Sequence, residues 1–130
     1  MRFASPLARC GRLATIFAAL ALASCKAPVE NAAWPNFGGD PGRGAIIMTQ
    51  SSCGACHRIP GLQQADGMVG PPLDHFARRT MIAGLLPNTP PNLIRWVRSP
   101  QAVLPGNAMP DSSFTDAQAR DVAAYLYTLH

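Results

Sequence analysis

Long apolar runs, basic patches and a cysteine framework are all missing from this 130-residue chain. The one sustained apolar stretch, Leu13 to Ser24, has 12 residues, short of the roughly 20 that a bilayer-spanning helix needs. No basic run or stripe is present, which removes the electrostatic footprint of a nucleic-acid-binding protein. The formal charge of +4 is misleading. Arg2, Arg9 and Arg12 sit at the N-terminus, and without them eight basic side chains face seven acidic ones, about +1. No internal repeat, no convincing strand and no βαβ alternation appears. The length suits one small domain with a limited apolar core.

What is there begins with a leader. Residues 1–24 have a basic n-region and a short Ala- and Leu-rich h-region, the pattern of an export signal. Leu22-Ala23-Ser24-Cys25 resembles the lipobox of bacterial lipoproteins, in which the cysteine takes the lipid and becomes the first mature residue. Small residues before it admit the peptidase, and two or more acyl chains anchor stably where one is marginal. The alternative is ordinary cleavage after Ala23, with Ala21 and Ala23 as the small residues and Cys25 left as a thiol. Cys10 is discarded with the leader in either case. Residues 25–38 form a tether rich in Pro, Asn and Gly, in which Trp34 and Phe37 are expected to pack locally on the domain. The remaining domain spans 39–130.

Within that domain the sequence predicts helices separated by Pro/Gly-rich loops. Asp40 and Pro41 make a good helix start, with a body through Gly44 and Met48 to about Gln50. A short helix is expected near Leu73 to Ala83. Another is expected from about Pro91 to Arg98, with Leu93, Ile94 and Val97 on one face and Pro100 as its stop. Thr115 and Gln118 form a capping box, after which Ala119, Val122, Ala123, Leu126 and Leu129 recur at helical spacing. Loops fall at Gly67–Pro72, Leu86–Pro90 and Leu104–Pro110. The fold class is therefore all-α, with three to five helices whose dense loops wrap something.

Cys53-Gly54-Ala55-Cys56-His57 supplies what they would wrap. C-x-x-C-H is the signature of covalent haem c attachment. Two thiols add across the two vinyl groups, two intervening residues span that separation, and the following His becomes the proximal ligand. A thioredoxin-like redox pair would want a βαβ setting. Half a zinc site would want a second ligand pair, and His75 and His130 are not suitably spaced. Met and His are the usual protein choices for the sixth position in cytochromes. Met109, 52 residues after His57, lies in a loop of backbone-fixing residues, Pro105-Gly106-Asn107-Ala108-Met109-Pro110, and is the candidate. His75 is the rival. Met48 and Met81 are expected in the core, and Met68 follows the motif too closely. With this ligand pair, an apolar space is expected between His57 and Met109.

The ordered landmarks, Gly44, Cys53 to His57, Gly70-Pro71-Pro72-Leu73, Met109-Pro110 and Tyr125-Leu126, resemble those of class I cytochromes c with one haem. The longer phrase, from Gly70 through Arg79-Thr80, Asn92 to Trp96 and Ser99-Pro100-Gln101 to Pro105–Pro110, is similar to the cytochrome domain fused to subunit II of some terminal oxidases, here without a copper-site domain. The resemblance implies that the first and last helices cross where Gly44 meets Tyr125. It implies that Pro71 accepts a hydrogen bond from His57, and that Arg79 and Trp96 contact the haem propionates. It further implies an electron carrier, not an enzyme, that works by outer-sphere transfer with both axial positions filled. The alternative is a haem enzyme or ligand-binding sensor with an open sixth site. The partner would be a membrane oxidase or dehydrogenase, met on the periplasmic side of a membrane by a lipid-anchored monomer.

Overall fold

The computed structural model describes residues 37–130; the leader, Cys25, and the tether as far as residue 36, including Trp34, lie outside them. Asp40 starts the first helix, α1 (Pro41–Gln50). Its backbone is extended, and Oδ1 accepts from the Arg43 N–H at 2.8 Å, satisfying one of the orphan donors of the first turn. A second, single-turn helix α2 (Cys53–Cys56) follows at once. Helix α3 spans Pro90–Arg98, α4 spans Pro100–Val103 and α5 spans Asp116–Leu126. Pro100 both ends α3 and occupies the first turn of α4, where its missing N–H costs nothing. The capping box of α5 is complete: Thr115 Oγ1 accepts from Gln118 N and Gln118 Oε1 accepts from Thr115 N.

Helices α1 and α5 cross in close contact, and α3 packs on α5. The apolar faces meet in one core that includes Met48, Ile59, Leu73, Leu93, Val97, Val122 and Leu126. Gly44 makes the crossing possible. A Cβ there would stand 2.1 Å from the Asp121 carbonyl oxygen and 3.0 Å from Tyr125 Cβ. Asp121, buried in the middle of α5, then ties that helix to the N-terminal end of α1. Its carboxylate accepts from Asp40 N at 2.7 Å and from Arg43 Nε and Nη2 at 2.8 and 2.9 Å. Phe37 packs edge-on against Tyr127, with ring centroids 5.8 Å apart.

The region expected as a helix from Leu73 to Ala83 is different. Only a 3-10 turn, Phe76–Arg78, forms there. It is followed by a minimal hairpin of β1 (Met81–Ile82) and β2 (Leu86–Pro87), registered Met81 to Pro87 and Ile82 to Leu86. His75 and Ala83 take positive φ, +53° and +51°, as does Gly84 at +69°; left-handed residues at both ends cannot continue a right-handed helix. The two at the hairpin tip give the twist that a tight hairpin needs. Met81 is corrected with it. Alternation along β1 buries Ile82 and leaves Met81 41% exposed rather than in the core. A buried amide holds this region down: Asn88 Nδ2 donates to the carbonyls of Phe76 and Arg79 at 3.1 and 2.9 Å, and its Oδ1 accepts from Tyr127 Oη at 3.0 Å. Burial pushes the Tyr127 phenol well above its ordinary value.

Replacing Gly44 by Ala is expected to cost about 1–3 kcal/mol, the typical price of overpacking, read as a lowered midpoint of chemical unfolding. Asp121 generates a pH dependence. The Arg43 guanidinium bonded to it holds its carboxyl below the usual range. Its stabilising effect is complete above the ordinary carboxylate pKa of about 4 and fades as pH falls through the lowered value. Thermal melts taken downward from pH 7 should show Asp121→Asn starting lower and falling less steeply in acid than the unmutated protein.

Candidate haem-attachment site

The attachment motif is built on a single turn. Ser52, at φ +55°, turns the chain out of α1 and into α2. Cys53 and Cys56 are then three residues apart on a helix, and so on one face. Both are free thiols, Cys56 exposed and Cys53 half-buried, and burial pushes the Cys53 thiol up. His57 leaves α2 in extended conformation, its N–H donating to the Cys53 carbonyl at 3.0 Å.

A strap from residue 67 to residue 73 lies along the motif. Gly67 N donates to Gly54 O at 3.0 Å, Gly70 N to Cys56 O at 2.8 Å and Leu73 N to Arg58 O at 2.8 Å. Gly70 meets the imidazole itself: a Cβ there would fall 2.3 Å from His57 Cε1 and 2.7 Å from Nδ1. The His57 Nδ1–H donates to the Pro71 carbonyl at 2.7 Å. A carbonyl only accepts, so Nδ1 carries the proton and Nε2 keeps its lone pair for a metal. Beside it, Arg58 Nε and Nη2 grip Asp74 Oδ2 at 3.0 and 2.7 Å. That hydrogen-bonded guanidinium holds the Asp74 carboxyl down. Arg79 Nη2 donates to the carbonyls of Pro72 and Asp74, with its guanidinium carbon 5.3 Å from the Phe76 ring centre. The structure thus gathers His57, Pro71, Arg79 and the Arg58–Asp74 pair around one strap.

Met109 and Trp96 stand on other elements. Met109 is half-buried in the loop after α4, and Trp96 is half-buried on α3 against the core. His75 is exposed at the start of the 3-10 turn. One cavity, of about 490 Å³, is lined by Phe37, Ile94, Arg95 and Arg120 among others. A smaller one, of about 210 Å³, is lined by Met48, Gly54, Leu62 and Ala65 among others. Neither is lined by His57 or Met109. Large apolar side chains instead stand in solvent on the loops of both residues: Met68 and Val69, 90% and 76% exposed, before Gly70, and Leu104 before Met109.

The groups present fit a covalently held porphyrin. Two free thiols share one helix face, and the adjacent imidazole has its outer nitrogen free. No bulk projects from Gly70 into the ring's place. Among the described residues, no cluster of three or more His, Cys, Asp or Glu offers an ordinary metal site. The Arg58–Asp74 pair and the Asn88 hub were not legible in the sequence. Their partners lie 16 and up to 39 positions apart, and no local pattern connects them.

This arrangement defines a haem-binding protein of the c type. The family model described as "Cytochrome c" matches residues 42–130, and the chain belongs to that family, as a class I c-type cytochrome. It is similar to cytochrome c oxidase subunit 2 of Alkalihalophilus pseudofirmus, 38% identical over 90 residues that make up 67% of this chain and 25% of that protein. It is also similar to cytochrome c oxidase subunit 2 of Bacillus sp. (strain PS3), 35% identical over 82 residues, 60% of this chain and 23% of that protein. The chain spans about a quarter of the length of these curated relatives. The crystal structure of cytochrome c2 from Rhodobacter sphaeroides superposes with a TM-score of 0.52 at 22% identity, covering 70% of this chain and 96% of that one. The fold is therefore the all-α class I cytochrome c fold.

A methyl group at position 70 tests the strap. Gly70→Ala should push the imidazole off its Pro71 bond. The expected outcome is a raised reduction potential, because without the Pro71 bond the imidazole is a weaker donor to ferric iron, measured by redox titration with optical detection. An unchanged titration would mean that the ring does not rest on Gly70.

Proposed function

We propose that this chain is an electron carrier, not an enzyme, with one covalent haem c bound through Cys53 and Cys56 and ligated axially by His57 and Met109. One observation carries this reading. The His57 Nδ1–H is already committed to Pro71 O at 2.7 Å, beside two free thiols in a single helical turn. When bound, haem supplies a one-electron ferric–ferrous couple, which thioether ligation biases toward the ferrous form. The chain's own residues do the rest. His57 is oriented by Pro71, and the Arg58–Asp74 pair steadies the strap that carries this carbonyl. Arg79 has Nε and Nη1 left over from its bonds to Pro72 and Asp74, and with Trp96 it is assigned to the propionates. Loops rich in Pro and Gly keep water from the iron.

The rest of the assignment follows the leader. Residues 1–24 are a lipoprotein-type signal, Cys25 carries the lipid, 25–38 is the tether and 39–130 the cytochrome domain. The lipid confines a monomer to the periplasmic face of a membrane, raising its effective concentration there. The redox partner is a membrane oxidase or dehydrogenase, a reading supported by relatives that are oxidase subunits.

Haem staining of a denaturing gel checks the attachment, because only covalent haem survives. The full-length protein should stain, and the Cys53→Ala, Cys56→Ala double variant should not. Met109→Ala should abolish the sulfur-to-iron charge-transfer band of the ferric protein at the red end of the visible spectrum. If the unmutated protein lacks that band, Met109 is not the ligand and the open-site alternative gains.

A further inference from the structure

Side-chain amides, not secondary structure, hold the loop that carries Met109. Gln101 is the second residue of α4. Its Nε2 donates to Asn107 O at 2.8 Å and to Met109 O at 2.7 Å, and its Oε1 accepts from Gly106 N at 3.0 Å. Asn107 answers from inside the loop. Its Nδ2 donates to Pro100 O at 3.0 Å and Leu104 O at 2.6 Å, while its Oδ1 accepts from Met109 N at 2.8 Å. Asp111 closes the ring by accepting from Gln101 N at 2.9 Å.

Both main-chain polar groups of Met109 therefore end on amide side chains. Each amide spends both of its N–H donors on the loop and uses its oxygen as well. Gly106, at φ +81°, makes the one corner that other residues would strain to adopt. The helix that presents Gln101 is only four residues long, so the loop's shape depends on these bonds. A methionine side chain has three rotatable bonds, and how well it stays on a metal depends on where its backbone is fixed. Ordering that backbone before ligation removes an entropic cost that the ligand bond would otherwise bear.

We infer that Gln101 and Asn107 are positioning residues for the axial thioether, which set how firmly the sixth position is closed to outside ligands. The inference rests on the axial role proposed above for Met109, and it adds residues that do not touch the haem.

The test uses the full-length haem-loaded protein and imidazole as the competing ligand. The ferric protein is titrated with imidazole while the charge-transfer band is followed. A neutral hydrogen bond contributes a net factor of roughly five to an equilibrium. Losing the three made by the Gln101 side chain in Gln101→Ala should therefore tighten apparent imidazole binding by on the order of 10- to 100-fold. Gln101→Glu should be affected at least as strongly, because a carboxylate has no N–H for the carbonyls of Asn107 and Met109. Asp121→Asn is the stability control: its bonds lie on the α1–α5 crossing, away from Gln101 and Asn107, so at a matched loss of thermal stability it should tighten imidazole binding far less than the Gln101 variants.

The outcomes separate. If the band is absent from the unmutated protein, the axial reading fails and this inference with it. If the band is present but the Gln101 variants bind imidazole as the unmutated protein does, the axial reading stands and the inference fails. An equal tightening in Asp121→Asn, at a matched loss of thermal stability, would also overturn it, since the amides would then act only through stability. Should Gln101→Ala not mature, Gln101→Asn is one methylene shorter and falls short of the same carbonyls, and the same titration decides.

Discussion

The closeness of the α1–α5 crossing is the constraint from which the site descends. Two helix backbones meet at Gly44 because no side chain stands between them. Once they meet, the Asp121 carboxylate reaches the Asp40 N–H and the Arg43 guanidinium on the other helix. The end of α1 then fixes the start of α2, with only Ser51 and Ser52 between them. Tyr125, from the same crossing, donates its hydroxyl to the Pro60 carbonyl at 2.7 Å and so pins the chain just beyond His57. The attachment turn is held from both sides by contacts that begin at one glycine.

The two axial candidates are supported in different ways. Around His57 the support is main chain to main chain along the 67–73 strap, reinforced by one ion pair. Around Met109 it is a set of neutral amides. The difference follows from what each side must do. An imidazole is rigid and needs only its ring plane and tautomer fixed, which one carbonyl at Nδ1 achieves. A thioether is a soft donor on a flexible stem, so its backbone must be fixed instead. Charge plays a minor part on the Met109 side, where Asp111 bonds a main-chain N–H rather than a cation.

Every cation among residues 37–130 is an arginine; the one lysine, Lys26, precedes them. The planar fork of arginine is used where it serves best, gripping carboxylates with two nitrogens or spanning main-chain carbonyls. Arg43 does this for Asp121, Arg58 for Asp74 and Arg120 for Asp116, and Arg79 bridges Pro72 and Asp74. Most of these pairs are exposed and contribute little to stability. Their value is geometric: two of the four sit on the strap that orients His57. Asp121 differs because it is buried, and its loss would leave a main-chain donor without a partner.

The sequence by itself determined the helical class, the N-cap of α1, the capping box of α5 and the place of the C-x-x-C-H pentapeptide. Each of these is a local pattern, read within a few residues, whose physics is complete within a turn or two. The hairpin at Met81–Pro87 escaped it because Ala83-Gly84 is not one of the strong turn pairs, and helical and extended readings of so short an apolar segment are close in propensity. Tertiary structure alone decided the burial of Ile82 rather than Met81, the Asn88 hub, the Arg58–Asp74 clamp and the amide ring around Met109. In each of these the partners are distant in sequence or meet through backbone carbonyls that every residue carries, so residue identity does not mark them. Where the chain passes close to itself, geometry chooses which polar groups must pair, and only the folded arrangement makes that choice.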